Sequence, residues 1–246
     1  MRLRVATYNI HKGFSHFNRR MMVHELRQQL RLLDVDIVFL QEVQAVHDHH
    51  ARRFHDWPTE PQYEFLADQV WQDFAYGQNA VYDHGHHGNA ILSRYPIVTA
   101  ENQDVSDHRY ERRGLLHCEI AVEGMHVHCL CVHLGLHERG RRRQLMALSD
   151  RVQRLVHGNA PLIVAGDFND WRNSAGRQLV AELGLKEVFR DQRGRPARTF
   201  PSAFPLLRLD RIYARGFDVR RAEVHHGLPW SRISDHAALS AELELS

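Results

Sequence analysis

Pro161-Leu162-Ile163-Val164-Ala165-Gly166-Asp167-Phe168-Asn169-Asp170 is the stretch on which the reading of this chain turns. Leu162 to Ala165 is a short, uninterrupted apolar run, the mark of a fully buried strand. Gly166 ends it, and Asp167 and Asn169 follow at once. Side chains at i and i+2 leaving a strand point the same way. A carboxylate and a carboxamide therefore share a face at a strand's end, where the sites of α/β proteins gather. A plain turn is the competing reading, because Asp and Asn readily bond nearby backbone.

Three other strand ends tip the balance. Leu3 to Tyr8 reads as a first strand and ends at Asn9, with the loop Ile10-His11-Lys12-Gly13 after it. Arg19 to Leu33 reads as a helix, with Val23, Leu26, Leu30 and Leu33 on one face. Ile37 to Leu40 is a second buried strand with Gln41-Glu42-Val43 at its end, so the chain opens strand–helix–strand, an α/β beginning. Near the other terminus Ser234-Asp235-His236 precedes a closing strand over Ala237 to Leu243.

Between these points the pattern is richer in strands than in helices. Tyr63 to Leu66, Ala75 to Tyr82, Asn89 to Ser93 and Ile97 to Gln103 are expected as strands, the last at a sheet edge. Leu115 to Val122 and Met125 to His133 form a hairpin around Glu123-Gly124. Arg139 to His157 is a helix whose apolar stripe is Leu145, Leu148, Val152, Leu155 and Val156. Gly176 to Leu183 is a short helix, and Leu209 to Tyr213 and Arg220 to His225 are strands. The segment from Gln44 to Gln62 is polar, His-rich and broken by Pro58 and Pro61, and is expected to begin as a helix and become a loop. No linker or repeat divides the chain, so one domain over 1–246 is expected.

The composition is ordinary for a globular chain of 246 residues, with 43% hydrophobic and 25% charged residues. A net charge of +2 gives no global field pointing to nucleic acid. Nearly all the positive charge is Arg, with only Lys12 and Lys186 as lysines. Among 20 histidines, two clusters stand out, His47-Asp48-His49-His50 and His84-Gly85-His86-His87; both are read as solvated loops rather than metal sites. Cys118, Cys129 and Cys131 show no paired framework, so reduced thiols on strands are expected. The chain runs from Met1-Arg2 directly into a strand, and no apolar run reaches the ~20 residues of a membrane span. A cytoplasmic protein, with a peripheral role at the inner membrane surface left open, is expected.

The chemistry follows from the strand ends. Carboxylates of Glu42, Asp167 and Asp235 with the carbonyl oxygens of Asn9 and Asn169 suit a hard cation such as Mg²⁺ or Mn²⁺. They do not suit a closed zinc site. Asp210 sits in the apolar strand Leu209-Asp210-Arg211-Ile212, where a lone carboxylate is costly without a partner. His236 is the natural partner, and a carboxylate holding an imidazole fixes its tautomer and stabilises its cation. The competing reading is an ion pair of Asp210 with Arg211 or Arg208. His133, at the end of its strand, completes a possible relay.

The series Thr7-Tyr8-Asn9, Leu40-Gln41-Glu42, Gly88-Asn89-Ala90-Ile91-Leu92-Ser93, His133-Leu134, Gly166-Asp167-Phe168-Asn169, Leu209-Asp210-Arg211 and Ser234-Asp235-His236 resembles the endonuclease/exonuclease/phosphatase superfamily, which shares its fold with pancreatic-type deoxyribonuclease. The match spans essentially the whole chain in the family's order. It implies a four-layer α-β-β-α sandwich, two packed mixed sheets flanked by helices, and cation-dependent cleavage of a phosphate ester. In that resemblance Glu42 matches the main metal carboxylate, with Asn9 beside it and Asp235 as a metal-proximal acid. Asp167 and Asn169 match the pair that positions or deprotonates the nucleophile. His236, held by Asp210, matches the catalytic histidine, and His133 a second histidine proposed as acid for the leaving group. Asn89, Arg113 and His11 are candidate substrate contacts. His11 and His133 stand where abasic-site endonucleases carry an acid and a tyrosine, which points toward the sphingomyelinase-like branch.

Three functions compete. The first is a monomeric hydrolase of a phosphodiester or phosphomonoester in a lipid or other small molecule, by in-line attack of water, with His236 or Asp167 as base. The second is a DNA or RNA nuclease, and the third a non-catalytic binding module on the same scaffold. Charge near balance, and basic runs such as Arg139 to Arg143 on a helix away from the site motifs, favour the first over the second. Phe14, Phe17, Trp71, Phe74, Phe200, Phe204, Leu206, Leu207 and Trp230 are expected in or near loops as an apolar rim, with Thr199 to Leu207 selecting the substrate.

Overall fold

The computed structural model describes residues 1–16, 19–172 and 174–246. Phe17, expected in the apolar rim, lies outside them. Among the described residues the chain builds two six-stranded mixed sheets flanked by helices, the α/β sandwich anticipated. The first sheet holds β1 (Arg2–Asn9), β2 (Ile37–His47), β3 (Asp73–Tyr82), β4 (Gly85–Ser93), β11 (Phe217–His225) and β12 (Ala238–Leu245), in the order β11-β12-β1-β2-β4-β3. The second holds β5 (Ile97–Asp104), β6 (Gly114–Val122), β7 (Met125–His133), β8 (Leu162–Asp167), β9 (Lys186–Glu187) and β10 (Asp210–Arg215), in the order β5-β6-β7-β8-β10-β9.

Each sheet has one parallel pair, and in each a helix makes the crossover that parallel strands require. Helix α1 (Val23–Leu33) joins β1 to β2, and α4 (Glu138–Leu155) joins β7 to β8. β1, β7 and β8 end on Asn9, His133 and Asp167, and β2 carries Glu42 at a break in its register, so the two crossovers place these polar groups.

Alternation along the strands divides the apolar residues among three layers. Val5, Ile37, Phe39 and Ile91 of one sheet meet Leu116, Cys129, Ile163 and Ile212 of the other in the central core. Ala6, Val38 and Leu40 face outward onto Leu26 and Leu30 of α1 and Phe65 of α3 (Gln62–Ala67). Leu130, Val132 and Val164 face Leu145, Leu148 and Val152 of α4 and Leu179 of α5 (Ser174–Leu183). Cys118, Cys129 and Cys131 are free and buried, and burial raises their thiols, Cys118 and Cys131 to about 12.

Several expectations need correction. Tyr63 to Leu66 is part of α3, not a strand, because Gln62, Phe65 and Leu66 bury together on one helical face. β2 does not stop at Leu40 but runs to His47, through a break in register at Glu42 and another before Val46. The polar stretch after it contains α2 (Asp48–Arg53). α1 starts at Val23 rather than Arg19, because the chain first makes a bridge between Phe14 and Met21. Leu155 of α4 is exposed rather than part of the apolar stripe. Helices α6 (Val188–Arg193) and α7 (Trp230–Ile233), each less than two turns long, lay below the reach of periodicity.

The histidine clusters are not solvated loops either. His86 and His87 lie in β4, and His49 stacks on His84 with ring centroids 3.7 Å apart. Among the described residues no ion-holding group of three ligands forms from these clusters. In the Arg139 to Arg143 run, Arg141 is buried and donates to the carbonyls of Gly135 and Leu136, while Arg143 pairs with Asp107.

Candidate active site

Strand register, rather than loop folding, assembles the centre. Parallel pairing sets His133 opposite Asp167, and antiparallel pairing sets Asp210 opposite Asp167. Three adjacent strands thus present an imidazole and two carboxylates in one row. The other sheet supplies Asn9 at the end of β1, Glu42 at the break in β2, and His236 just before β12. Ser234 ties that last segment down, donating its hydroxyl to the Asn9 carbonyl at 2.7 Å.

The two sets meet at Asp167 Oδ2. Asn9 Nδ2 donates to it at 3.2 Å and to Glu42 Oε1 at 3.3 Å. His133 Nε2 lies 3.5 Å from the same oxygen and His236 Nε2 3.9 Å away. His236 Nδ1 donates to Asp210 Oδ2 at 2.9 Å. The other Asp167 oxygen accepts from the Asn169 backbone N–H at 2.9 Å. The turn reading and the site reading of this stretch are therefore both correct, one carboxylate oxygen serving each.

Backbone strain marks two of these positions. Glu42 has φ 58° and Asn169 φ 49°, left-handed values that a non-glycine residue adopts only when its surroundings enforce them. At Glu42 the strain coincides with the register break, which re-aims one side chain without ending the strand. At Gly166 a Cβ would sit 1.9 Å from the Val132 carbonyl oxygen, so only glycine lets β8 close on β7 beside Asp167.

The electrostatics divide the titratable groups. Burial pushes the Asp167 carboxyl up to about 6, opposed by His236 and reinforced by Asp210. Burial alone would lower His236, but Asp210, then Asp167 and Asp235, outweigh it and raise the imidazole to about 10. His133 is pushed well below its ordinary value by burial and by Arg113. Glu42 is held below its usual range, because Lys12, His11, His236 and His87 together outweigh its desolvation. His236 is thus a cation at neutral pH and His133 is not.

Other expected residues fall into place or out of it. Arg211 turns away from Asp210 and donates to the carbonyls of Asp210 and Asp170, so the ion-pair reading of Asp210 fails. The His11 backbone N–H donates to Asn9 Oδ1 at 3.1 Å. This fixes the amide with its NH₂ toward the carboxylates, so Asn9 is not arranged as an oxygen ligand. Asn169 Nδ2 is spent on the Leu134 carbonyl at 2.9 Å. Arg113 Nε braces the same carbonyl at 3.2 Å, with its guanidinium against Glu111. Asn89 Nδ2 donates to the carbonyls of Gly114 and Cys131 across the sheets, leaving no donor for a substrate phosphate. Asp235 is half-buried, 3.9 Å from His16 Nδ1.

Residues that the sequence did not place at the centre also gather here. Lys12 Nζ lies 4.0 Å from Glu42 Oε2. Thr199 Oγ1 accepts from the Asp210 N–H at 3.2 Å and so holds the dyad's carboxylate strand. His87 lies close to Glu42, and burial and Lys12 lower its imidazole to about 4. Of the expected rim, Phe14, Trp71 and Trp230 are core residues. Phe200 packs on His236 with ring centroids 5.1 Å apart, and Phe204, Leu206 and Leu207 are exposed on the same hairpin.

Asp167, Asp210 and His236 bring ligand atoms within 4.8 Å of one another, close enough to hold an ion. The bond between His236 Nδ1 and Asp210 makes a proton-sharing dyad the better description of two of them.

Known proteins resemble this chain in sequence or in fold. A relative in Escherichia coli (strain K12), bearing the name "Uncharacterized protein YbhP", is 52% identical over 244 residues, covering 98% of this chain and 96% of its own. A structure titled endonuclease/exonuclease/phosphatase, from Beutenbergia cavernae DSM 12333, superposes with a TM-score of 0.78 at 23% identity, covering 100% of this chain and 72% of that one. The Bacteroides thetaiotaomicron VPI-5482 mannosyl-6-phosphatase Bt3783 superposes at 0.73 with 18% identity, covering 99% and 100%. At these identities the two structures speak for the fold. The model of the Endonuclease/Exonuclease/phosphatase family matches residues 6–236, from inside β1 to the dyad histidine, and this chain belongs to that family.

Proposed function

We propose that this chain is a divalent-metal-dependent phosphoric ester hydrolase acting on a phosphodiester or phosphomonoester of a lipid or other small molecule. The unit carrying the activity is the whole chain, 1–246, as one domain. The observation that supports this most is the convergence of three groups on Asp167 Oδ2, an arrangement built to take a proton from one bound water.

The residues suit a hard cation. Glu42, Asp167, Asp210 and Asp235 bring four carboxylates against the cations of His236 and Lys12, an excess of negative charge that a divalent ion offsets. Glu42 and Asp235, carboxylates at the solvent edge of the cluster, would hold Mg²⁺ or Mn²⁺. When bound, the ion would neutralise charge on the phosphate and its leaving oxygen.

The chain's own groups work at the attacking end. Asp167, ionised above about pH 6, accepts the proton of the attacking water. Asn9 Nδ2 and the neutral His133 orient its oxygen, and Asn169 fixes its other one. The His236 cation, kept charged by Asp210, stabilises charge building on the phosphate oxygens. This favours Asp167 over His236 as base. The lowering of His133 by burial and Arg113 argues against it as the acid for the leaving group.

Two surface features bear on the substrate. Phe204 is 72% exposed and Leu228 69%, and the Gly227 N–H to Ser202 carbonyl bond holds their loops together beside His236. An exposed apolar tip at a catalytic cleft fits a lipid or a membrane surface, in keeping with the resemblance to the sphingomyelinase-like branch. The nuclease reading has its own support: Arg193, Arg195, Arg198 and Arg208 line one groove next to that hairpin. Arg198, Arg211 and Arg195 add to burial in lowering Arg208.

The test is a panel with Mg²⁺ or Mn²⁺: phospholipid vesicles, bis(p-nitrophenyl) phosphate, plasmid and single-stranded DNA, and RNA. Turnover of a lipid or small ester exceeding that of nucleic acid is expected. Plasmid nicking that falls steeply with salt would reverse the order.

A further inference from the structure

Beside the reaction centre lies a separate pocket of about 310 Å³, walled by Lys12, His47, His50 and Arg53, with Gln44 and Tyr82 supplying uncharged polar groups. No carboxylate lines it among the described residues. It adjoins the centre directly: Lys12 Nζ is 4.0 Å from Glu42 Oε2, and Gln44 follows Glu42 by two residues on β2.

The polar groups are set in advance. Gln44 Nε2 donates to the Tyr82 hydroxyl at 3.2 Å, which turns Gln44 Oε1 toward His50 Nδ1 at 3.1 Å. His50 is therefore the Nδ1–H tautomer when neutral. Its ring is held edge-on against Phe14 with centroids 4.7 Å apart. The Arg53 guanidinium lies over the Phe54 ring, 5.4 Å from its centroid, with no carboxylate partner among the described residues. Burial, then His47, Arg53, His49 and Lys12, push His50 down to about 4. Lys12 shares its charge with Glu42, so Arg53 is the cation that this pocket offers an anion without a carboxylate against it among the described residues.

A volume this small stands at the low end for ligand sites and suits a phosphate-sized group better than a base or an acyl chain. Arginine with flanking neutral donors is the usual means of holding such a group. We propose that this pocket binds a second anionic group of the substrate, a phosphomonoester or carboxylate, while the ester to be cleaved lies at Glu42 and Asp167. The inference rests on the hydrolase reading above and narrows it: the substrate is a phosphoester with two anionic centres within one lysine's reach of each other.

The anion could be carried by a soluble molecule or by a lipid headgroup, and the experiment has an arm for each. Inorganic pyrophosphate is titrated calorimetrically in EDTA, where the carboxylate-rich centre repels anions and only the pocket attracts them. Phosphatidylcholine vesicles with and without phosphatidylinositol 4-phosphate are tested by co-sedimentation. Arg53→Ala should weaken binding roughly tenfold in at least one arm, and Arg53→Lys should recover part of it. Tyr82→Phe, which removes a hydroxyl whose proton is free to donate because its oxygen accepts from Gln44 Nε2, should weaken the same arm. Hydrolysis of bis(p-nitrophenyl) phosphate, which has no second anionic group, should stay within about twofold of the parent in Arg53→Ala. Equal binding by parent and both pocket variants in both arms would overturn the pocket. No hydrolysis of any ester by the parent would instead overturn the hydrolase reading, and Arg53-dependent anion binding would still support the pocket.

Discussion

At the residue scale the account turns on one proton site. Asp210 is fully buried, and its charge is the largest influence raising His236. On the proposed mechanism His236 acts as a cation, so activity is expected to fall as pH rises through about 10. Asp167 would act as an anion, so activity is expected to fall as pH drops through about 6. Asp210→Asn keeps the shape and removes the charge. The basic limb of kcat/KM against pH should then move down toward neutrality, while the acidic limb moves down as well, since Asp210 also raises Asp167. An unmoved basic limb would separate His236 from the reaction. Part of this was legible in the sequence: an acid alone in an apolar strand needs a partner, and His236 was the fitting one. What was not legible was protonation. Nothing in the residues around His133 announces that burial and Arg113 hold it neutral.

At the element scale, function depends on strands being interrupted without being ended. β2 carries Glu42 at positive φ where its register with β4 breaks, and the strand then resumes to His47. The sequence showed the polar residue after the apolar run but read it as a terminus, because a register break has no composition of its own. Glu42→Gln should raise the cation concentration for half-maximal activity at least roughly tenfold. An unchanged cation titration would remove Glu42 from the ion. β8 makes the complementary case. Gly166 has φ 147° and stands against the Val132 carbonyl. Gly166→Ala should cost roughly 3 kcal/mol of stability by denaturant unfolding, from backbone strain and overpacking together. A loss below about 0.5 kcal/mol would show that the close approach of β7 and β8 is not a constraint.

At the scale of the whole molecule, the site exists because two sheets are held in one registration. Side chains spread from position 9 to position 236 meet only when β1 and β2 of one sheet lie over β7, β8 and β10 of the other. Asn89 is a staple of that stacking, reaching from β4 to the carbonyls of Gly114 and Cys131. Asn89→Leu should lower stability by roughly 1–3 kcal/mol, read by denaturant unfolding, and no loss would place the registration elsewhere. A strand-rich α/β sandwich was readable from buried apolar runs and two amphipathic helices, and its four layers were implied by the family resemblance. The histidine clusters were not, because partners so distant in sequence as His49 and His84 meet only through the extended β2 and β4.

The central claim is that this convergence hydrolyses phosphate esters with Asp167 as the group that takes the proton. The most direct measurement is the rate of bis(p-nitrophenyl) phosphate hydrolysis by the parent and by Asp167→Asn, with Mn²⁺ and with excess EDTA, alongside their thermal midpoints. The account predicts turnover by the parent that EDTA abolishes, and at least a ~100-fold loss in Asp167→Asn without loss of folding. Near-equal turnover in a folded Asp167→Asn protein, or parent turnover indifferent to EDTA, would contradict it.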